Sequence, residues 1–398
     1  MSNSNNIVTE QFRPCCVCNK SSGKKLGLLE FSLPNNNFNI VANIDVTACL
    51  KCGFIILNTP SSQKDYDNFY KNSFYSPEYL KRPLSENEEQ YFNETVELVS
   101  RNFDNNNKSI LDIGCGLGYQ LDAFKIRGFN NLYGLDPSLE CVEYVNRKNN
   151  IHCELGTLNS IVFPPEKMEI VILLHVLEHI VDVKKAINDL YQKMPNHGLV
   201  YVEVPDATMY NEISNRPISQ FYFQHVIHFD SFHLKNVFES NGFIQLNAGK
   251  RLRQEKGITI PCIWAVFNKS PEKTKQFTPN FDLAEKIENW FNNTNLDPSG
   301  DIANLALSKK PVFVWGIGIH AWMMLKMSPL KDCNIKALVD SNSFLHGKLI
   351  DGKKIQPLDI LEKADENSVI FITALVHKDD MMQYINGKLN FKGEIYFI

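Results

Sequence analysis

The sequence predicts an α/β protein built from three units joined by two helical segments. Three observations carry that reading. From residue 109 to about 268, apolar strand-like runs alternate with helix-like segments, the pattern of a parallel sheet covered on both faces. Residues 309–398 resume the same alternation on a smaller scale. Before residue 53, four of the five cysteines fall into two close pairs within a stretch poor in apolar residues. At 398 residues the chain is too long for one ordinary core, so more than one domain is expected. The boundaries read as 1–58, a helical linker 59–108, a central unit 109–268, a helical connector 269–308 and a C-terminal unit 309–398.

The bulk numbers exclude some partners. Lys and Arg total 41 against 45 Asp and Glu, a net charge of −4 with no long basic run, so no nucleic-acid partner is expected. The opening residues lack a basic and then apolar leader. No stretch approaches the roughly 20 apolar residues that cross a bilayer. A cytoplasmic protein with no membrane partner is expected, acting as a monomer or homodimer.

Taken in order, Cys15-x-x-Cys18 and Cys49-x-x-Cys52 are two knuckles about thirty residues apart. Each short loop aims two thiolates at one ion, and two loops complete a closed tetrahedral four-sulfur set, which predicts structural zinc. Cys16 could replace one ligand, or the thiols could be free. In the linker, Ser85 with Glu88 three positions later predicts a capped helix over "ENEEQYFNETVELVS". Strands are expected at Ser109–Ile113, Asn131–Leu135, Glu169–Leu174 and Leu199–Glu203. Helices are expected at Gln120–Arg127, Leu139–Lys148 and Val183–Lys193. "HLKNVFESNGFIQLNAGKR" and "GITIPCIWAVFN" then read as a helix and a hairpin, an antiparallel edge on the parallel sheet.

The first strand of the central unit runs into "LDIGCGLGYQL", with Gly114, Gly116 and Gly118 at every second position. A dinucleotide turn spaces its glycines as G-x-G-x-x-G. Here Asp112 precedes the first glycine, and a carboxylate there repels pyrophosphate. It suits a ligand whose near end carries an ammonium and a sulfonium group. Asp136, at the end of the next strand, is placed to take both hydroxyls of a ribose.

These residues resemble class I S-adenosylmethionine (SAM)-dependent methyltransferases. "MEIVILLHVLEHI" is similar to the family's fourth strand and "HGLVYVEVPD" to its fifth. The resemblance implies a Rossmann-like sheet. It also implies that Gly114, Gly116 and Gly118 line the methionine and ribose portions of the cofactor and that Asp136 holds the ribose. Thr157 and Leu158 would lie near the adenine, and His175 beside the sulfonium.

The whole arrangement also resembles the sugar C-methyltransferases, which join a four-cysteine zinc domain, a methyltransferase and a Rossmann-like C-terminal domain. Their substrates are nucleotide-linked 4-ketosugars, and their loop after the fifth strand reads Tyr-x-Glu-His. Here that loop reads Tyr222-Phe-Gln224-His225, so the tyrosine and histidine match while the glutamate does not. The resemblance implies that His225 takes the proton alpha to the ketone, with His228 in reserve and His233 starting a helix. Tyr222 and a tyrosine from "NFYKNSFYSPEY" would orient the acceptor; Tyr75 is the best match, with Tyr70 and Tyr79 as rivals. The expected substrate is therefore a small nucleotide-linked sugar. The alternatives are O- or N-methylation of a carbohydrate or small metabolite, and a non-catalytic SAM-binding assembly module. A second turn, Gly316-x-Gly318-x-x-Ala321 with Asp340 beyond it, reads first as a holder of the substrate's nucleotide, with a nicotinamide cofactor or a purely packing role as alternatives and Trp315, His320 and Trp322 as candidate base stackers.

Overall fold

In the computed structural model, residues 8–10, 13–34, 40–71, 83–149, 151–210, 220–255, 258–271, 277–374 and 377–398 are described. Their strands form three sheets. The N-terminal chain gives β1 (Val8–Glu10), β2 (Ser22–Glu30), β3 (Asn43–Cys49) and β4 (Ile55–Asn58), paired antiparallel in that order.

The central chain gives β5 (Ile110–Ile113), β6 (Leu132–Asp136), β7 (His152–Leu155), β8 (Ile170–Leu174) and β9 (Leu199–Pro205). After these come β10 (Ile227–His228), β11 (Phe243–Glu255) and β12 (Ile258–Lys269). The central sheet runs β11-β12-β9-β8-β5-β6-β7. Its strands β5 to β9 are parallel, and β12 and β11 close an antiparallel edge. Helices on both faces explain the run of β9, "LVYVEVP", in which every residue is buried. Chain order reverses between β5 and β8, so their carboxyl ends flank a topological switch point, where open α/β sheets bind ligands.

The expected helices are present as Tyr119–Ile126, Leu139–Asn149 and Val183–Lys193. The capped helix spans Glu86–Ser100, with the Ser85–Glu88 capping box formed. It is not a detached linker, because it packs on the helix after the glycine turn and on β11. The connector is likewise seated: helix Asp282–Asn293 lies on β2, where a Cβ at Gly27 would come within 2.4 Å of the Phe291 ring. Among the described residues no helix is long and apolar enough to cross a membrane.

Strand β10 was not foreseen. It leaves the central unit and pairs with β4, Ile227 opposite Ile56, so the loop carrying His225 completes the N-terminal sheet. The C-terminal sheet comprises β13 (Val312–Trp315), β14 (Ile335–Val339), β15 (Leu349–Ile350), β16 (Lys353–Gln356), β17 (Val369–Ile372) and β18 (Glu394–Phe397). Their order is β15-β16-β14-β13-β17-β18. All neighbours are parallel except the β15–β16 hairpin, which turns through Asp351 and Gly352, both at positive φ.

Candidate active site

The glycine turn after β5 puts Gly114, Gly116 and Gly118 in the left-handed region, at φ 74°, 51° and 74°. They differ in what a side chain would meet. A Cβ at Gly114 would come within 2.8 Å of Val176 Cγ2, and one at Gly118 within 3.1 Å of Val145. A Cβ at Gly116 meets nothing within 4 Å. The space above Gly116 is therefore a cradle rather than a packing contact. Beside it lies a cavity of about 180 Å³ lined by Tyr91, Phe92, Asp112, Gly116, Tyr119 and Leu174.

Asp136 locks this turn. Its Oδ2 accepts the Gly116 N–H at 2.8 Å, and its Oδ1 accepts the Ser138 N–H at 2.9 Å. Burial raises its carboxyl to about 6 against these two bonds. Asp112 is 2% exposed and is raised well above the usual range by burial and then by the charge of Asp136. Two buried acids beside an open backbone cradle suit a cationic ligand bearing a ribose. The turn residues and the donor set thus fit SAM.

Leu158 and His175 sit differently from the rest of the expected cofactor set. Leu158, in the short helix Leu158–Ser160, is buried among core residues at 1% exposure. His175 follows β8 with φ 54°, and its ring enters a buried polar cluster. There Nδ1 lies 3.2 Å from Glu178 Oε1, and Nε2 lies 3.7 Å from both Glu203 Oε1 and Cys262 Sγ. Glu203 is fully buried and accepts from Tyr91, Tyr201 and Arg251 at 2.6–2.8 Å. Burial would raise its carboxyl, but the nearby His175 and Arg251 outweigh it and hold it down at about 2.

The loop after β9 brings the expected acceptor residues together. His225 Nδ1 is 3.0 Å from the Gln220 carbonyl oxygen, which only accepts, so Nδ1 carries the proton and Nε2 keeps its lone pair. Tyr222 packs edge-on to the His225 ring at 5.2 Å. The His179 ring packs edge-on to His225 at 4.9 Å. His179 Nδ1 is 3.0 Å from the Gln224 carbonyl oxygen and 2.8 Å from Tyr70 Oη. Burial, then the neighbouring His179, pushes His225 down to about 3, so it is neutral at working pH.

His228 is placed apart from this group. It lies in β10 at 1% exposure, 3.2 Å from the Tyr210 hydroxyl and tilted against the Phe221 ring, a core position. His233 sits in the first turn of helix Ser231–Glu239, as expected, with Asp230 as its cap. Tyr75 lies outside the described residues. Tyr70, the rival, is the described tyrosine of that segment that reaches the histidines.

Glu178 and His179 escaped the sequence reading, although they stand in the quoted "HVLEHI". The available signal was a charged pair directly after an apolar strand, at the carboxyl end where ligands bind. Val176, which touches the Gly114 position, links this segment to the cofactor cradle.

In the N-terminal unit the sulfur atoms of Cys15, Cys18, Cys49 and Cys52 all lie within 4.8 Å of one another. Cys15–Cys52 and Cys18–Cys49 are 3.6 and 3.4 Å apart. Each knuckle ends on a left-handed residue, Asn19 at φ 60° and Gly53 at φ 82°. Cys16 is outside the set. Four converging thiols with no open position fit a structural zinc ion. The Cys49→Ser variant is expected to lose that metal and much of its thermal stability, since structural zinc supplies on the order of 10 kcal/mol in small zinc modules. Metal analysis and a melting curve check this; a metal-free variant of unchanged stability would contradict it.

At the second glycine turn, Asp340 Oδ2 accepts the Ile317 N–H at 2.6 Å and Oδ1 accepts the Asn342 N–H at 2.7 Å. That repeats the Asp136 arrangement. Trp315 and Trp322 are 3% and 2% exposed, too buried to stack on a base. Trp322 instead stacks on Phe223 of the His225 loop, at 6.2 Å. His320 is buried on the same helix. A hollow of about 610 Å³ beside Trp290, Asp297 and Tyr396 has no histidine, lysine, arginine or cysteine in its wall and includes no residue of either glycine turn.

Residues 85–246 match the methyltransferase domain family. Solved structures that match part of the chain include the YcgJ protein of Bacillus subtilis, at 15% identity over 46% of this chain and 100% of that one, with TM-score 0.38. A SAM-dependent methyltransferase of Methanosarcina mazei is 14% identical over 44% of this chain and 98% of its own, with TM-score 0.37. One from Mesorhizobium loti is 12% identical over 43% and 96%, with TM-score 0.36. No curated protein matches. The match gives the chain a methyltransferase domain over residues 85–246, the part that makes it an enzyme.

Proposed function

We propose that the enzyme transfers a methyl group to the carbon alpha to the ketone of a nucleotide-linked sugar, with His225 as the base. The observation that carries this is the His225 tautomer: Nδ1–H is bound to the Gln220 carbonyl, and Nε2 is left to accept a proton. SAM supplies an electrophilic methyl group when bound at the Gly116 cradle. His225 Nε2 takes the acceptor's C–H proton and leaves the electron pair on that carbon, which would bond the methyl group as the methyl–sulfur pair departs with S-adenosylhomocysteine. Tyr222 and Tyr70 flank the histidines and orient the acceptor's oxygens; Tyr75 is the further tyrosine assigned to this task. Hydrogen bonds to the enolate oxygen lower the barrier further.

The zinc-bearing unit, residues 1–58, closes over the sugar and takes no part in the chemistry. Residues 309–398 hold the nucleotide portion at the second glycine turn, where a Cβ at Gly318 would meet nothing within 4 Å. The same base could deprotonate a hydroxyl or amine, which keeps O- or N-methylation as the second reading. Against a panel of nucleotide sugars, with SAM present, methyl gain is expected with 4-keto members. Gain with the corresponding hydroxy sugars alone would favour the second reading. A methyltransferase domain match stands against the reading as a non-catalytic module.

A further inference from the structure

The steps above leave a buried carboxylate beside the histidines, Glu178, unused. Glu178 is 2% exposed, and its Oε2 has no hydrogen-bond partner, while Oε1 lies 3.2 Å from His175 Nδ1. Its neighbours are histidines. Ligand-type atoms of Glu178, His179 and His225 all lie within 4.8 Å of one another. The groups facing His225 are His179 and Glu178 from the segment after β8, Tyr222 from its own loop, and more distantly His175 and the β10 residue His228. Tyr70 reaches the cluster through His179. Glu178 is the one acid in this set, and the neighbouring loop residue Gln224 is neutral.

A buried imidazole gains its proton only at the cost of placing a cation in a poorly solvated site. His225 alone is therefore a poor base. We propose that Glu178 is the positioning residue that makes His225 competent: its unpaired carboxylate oxygen is the counter-charge for the imidazolium formed when Nε2 takes the acceptor's proton. The inference rests on the reading of His225 as the base. The carboxylate is already ionised for this role. Burial would raise it, but the bond with His175 and the charges of the surrounding histidines hold it at about 2. At a separation near 5 Å inside a protein, such a counter-charge is worth about a hundredfold in basicity.

The test uses the full chain with SAM and a responsive acceptor. Glu178→Gln keeps the shape and removes the charge. Turnover should fall about a hundredfold, with SAM affinity and KM within about twofold of the parent. Glu178→Ala should be reactivated by added formate and not by formamide, because only the former restores charge. A merely structural role would respond to both or to neither. Full activity in Glu178→Gln, with His225→Ala inactive, would overturn the Glu178 role alone. Activity surviving in His225→Ala would overturn the base itself. If Glu178→Gln does not bind SAM, the formate and formamide arms on Glu178→Ala decide. A divalent ion beyond the four-cysteine complement, lost in both the Glu178 and His225 variants, would also overturn the proposal, since the cluster would then be a metal site.

Discussion

His225→Ala should lower turnover by about 10²- to 10⁴-fold, the usual contribution of a positioned general base, while SAM still binds. The separation of the two effects follows from position. The His225 ring stands in the loop after β9, whereas the candidate cofactor turn follows β5. Steady-state kinetics together with a cofactor titration would check it. Retained turnover would remove His225 from the base role and leave it as a packing residue against His179 and Tyr222. Loss of both activities would instead point to a collapsed loop, because β10 holds that loop to β4.

The second large effect is expected at Gly116. The Gly116→Val variant should bind SAM at least about a hundredfold more weakly, for the side chain would fill the space that the ligand's backbone contacts need. The protein itself offers no clash, because a Cβ there meets nothing within 4 Å. The left-handed backbone at φ 51° adds a strain of about 1–2 kcal/mol for a non-glycine residue, too little to unfold a domain of this size. Calorimetry with SAM, paired with a melting curve, separates the two contributions. Gly114→Val is a useful contrast, since its side chain would run into Val176 and destabilise the turn as well. Undiminished affinity in Gly116→Val would place the cofactor elsewhere.

The parts of the fold that were legible in the sequence are those set by local pattern. The β5 turn, the acid at the end of β6, the Ser85–Glu88 capping box and the helix Val183–Lys193 each depend on residues close in the chain. The parts that were not legible depend on partners far away. Strand β10 is two residues long and has no pattern of its own; it exists because it pairs with β4. The seat of the connector helix comes from Gly27 admitting the Phe291 ring, a contact between residues far apart in sequence. Trp322 reads as a base stacker beside a glycine turn, yet its ring is spent on Phe223. The β15–β16 hairpin is a different case, since the Asp351-Gly352 pair was a visible signal for a two-residue turn.

The candidate site divides along the same line. Tyr222, Gln224 and His225 are adjacent in sequence and could be singled out together. Glu178 and His179 lie on another element, and their partnership with His225 arises only when the ends of β8 and β9 are brought side by side. With Glu178 as the counter-charge, the carboxylate that the loop lacks at Gln224 would come from the segment after β8, an arrangement that no single stretch of the chain displays.

Mass spectrometry of the product formed from an acceptor deuterated at the carbon alpha to its ketone tests the central claim most directly. Methyl gain accompanied by loss of that deuterium is the predicted result, because His225 must remove it before the carbon can bond. Methyl gain with the deuterium retained would contradict carbon methylation and give the reaction to an oxygen or nitrogen instead.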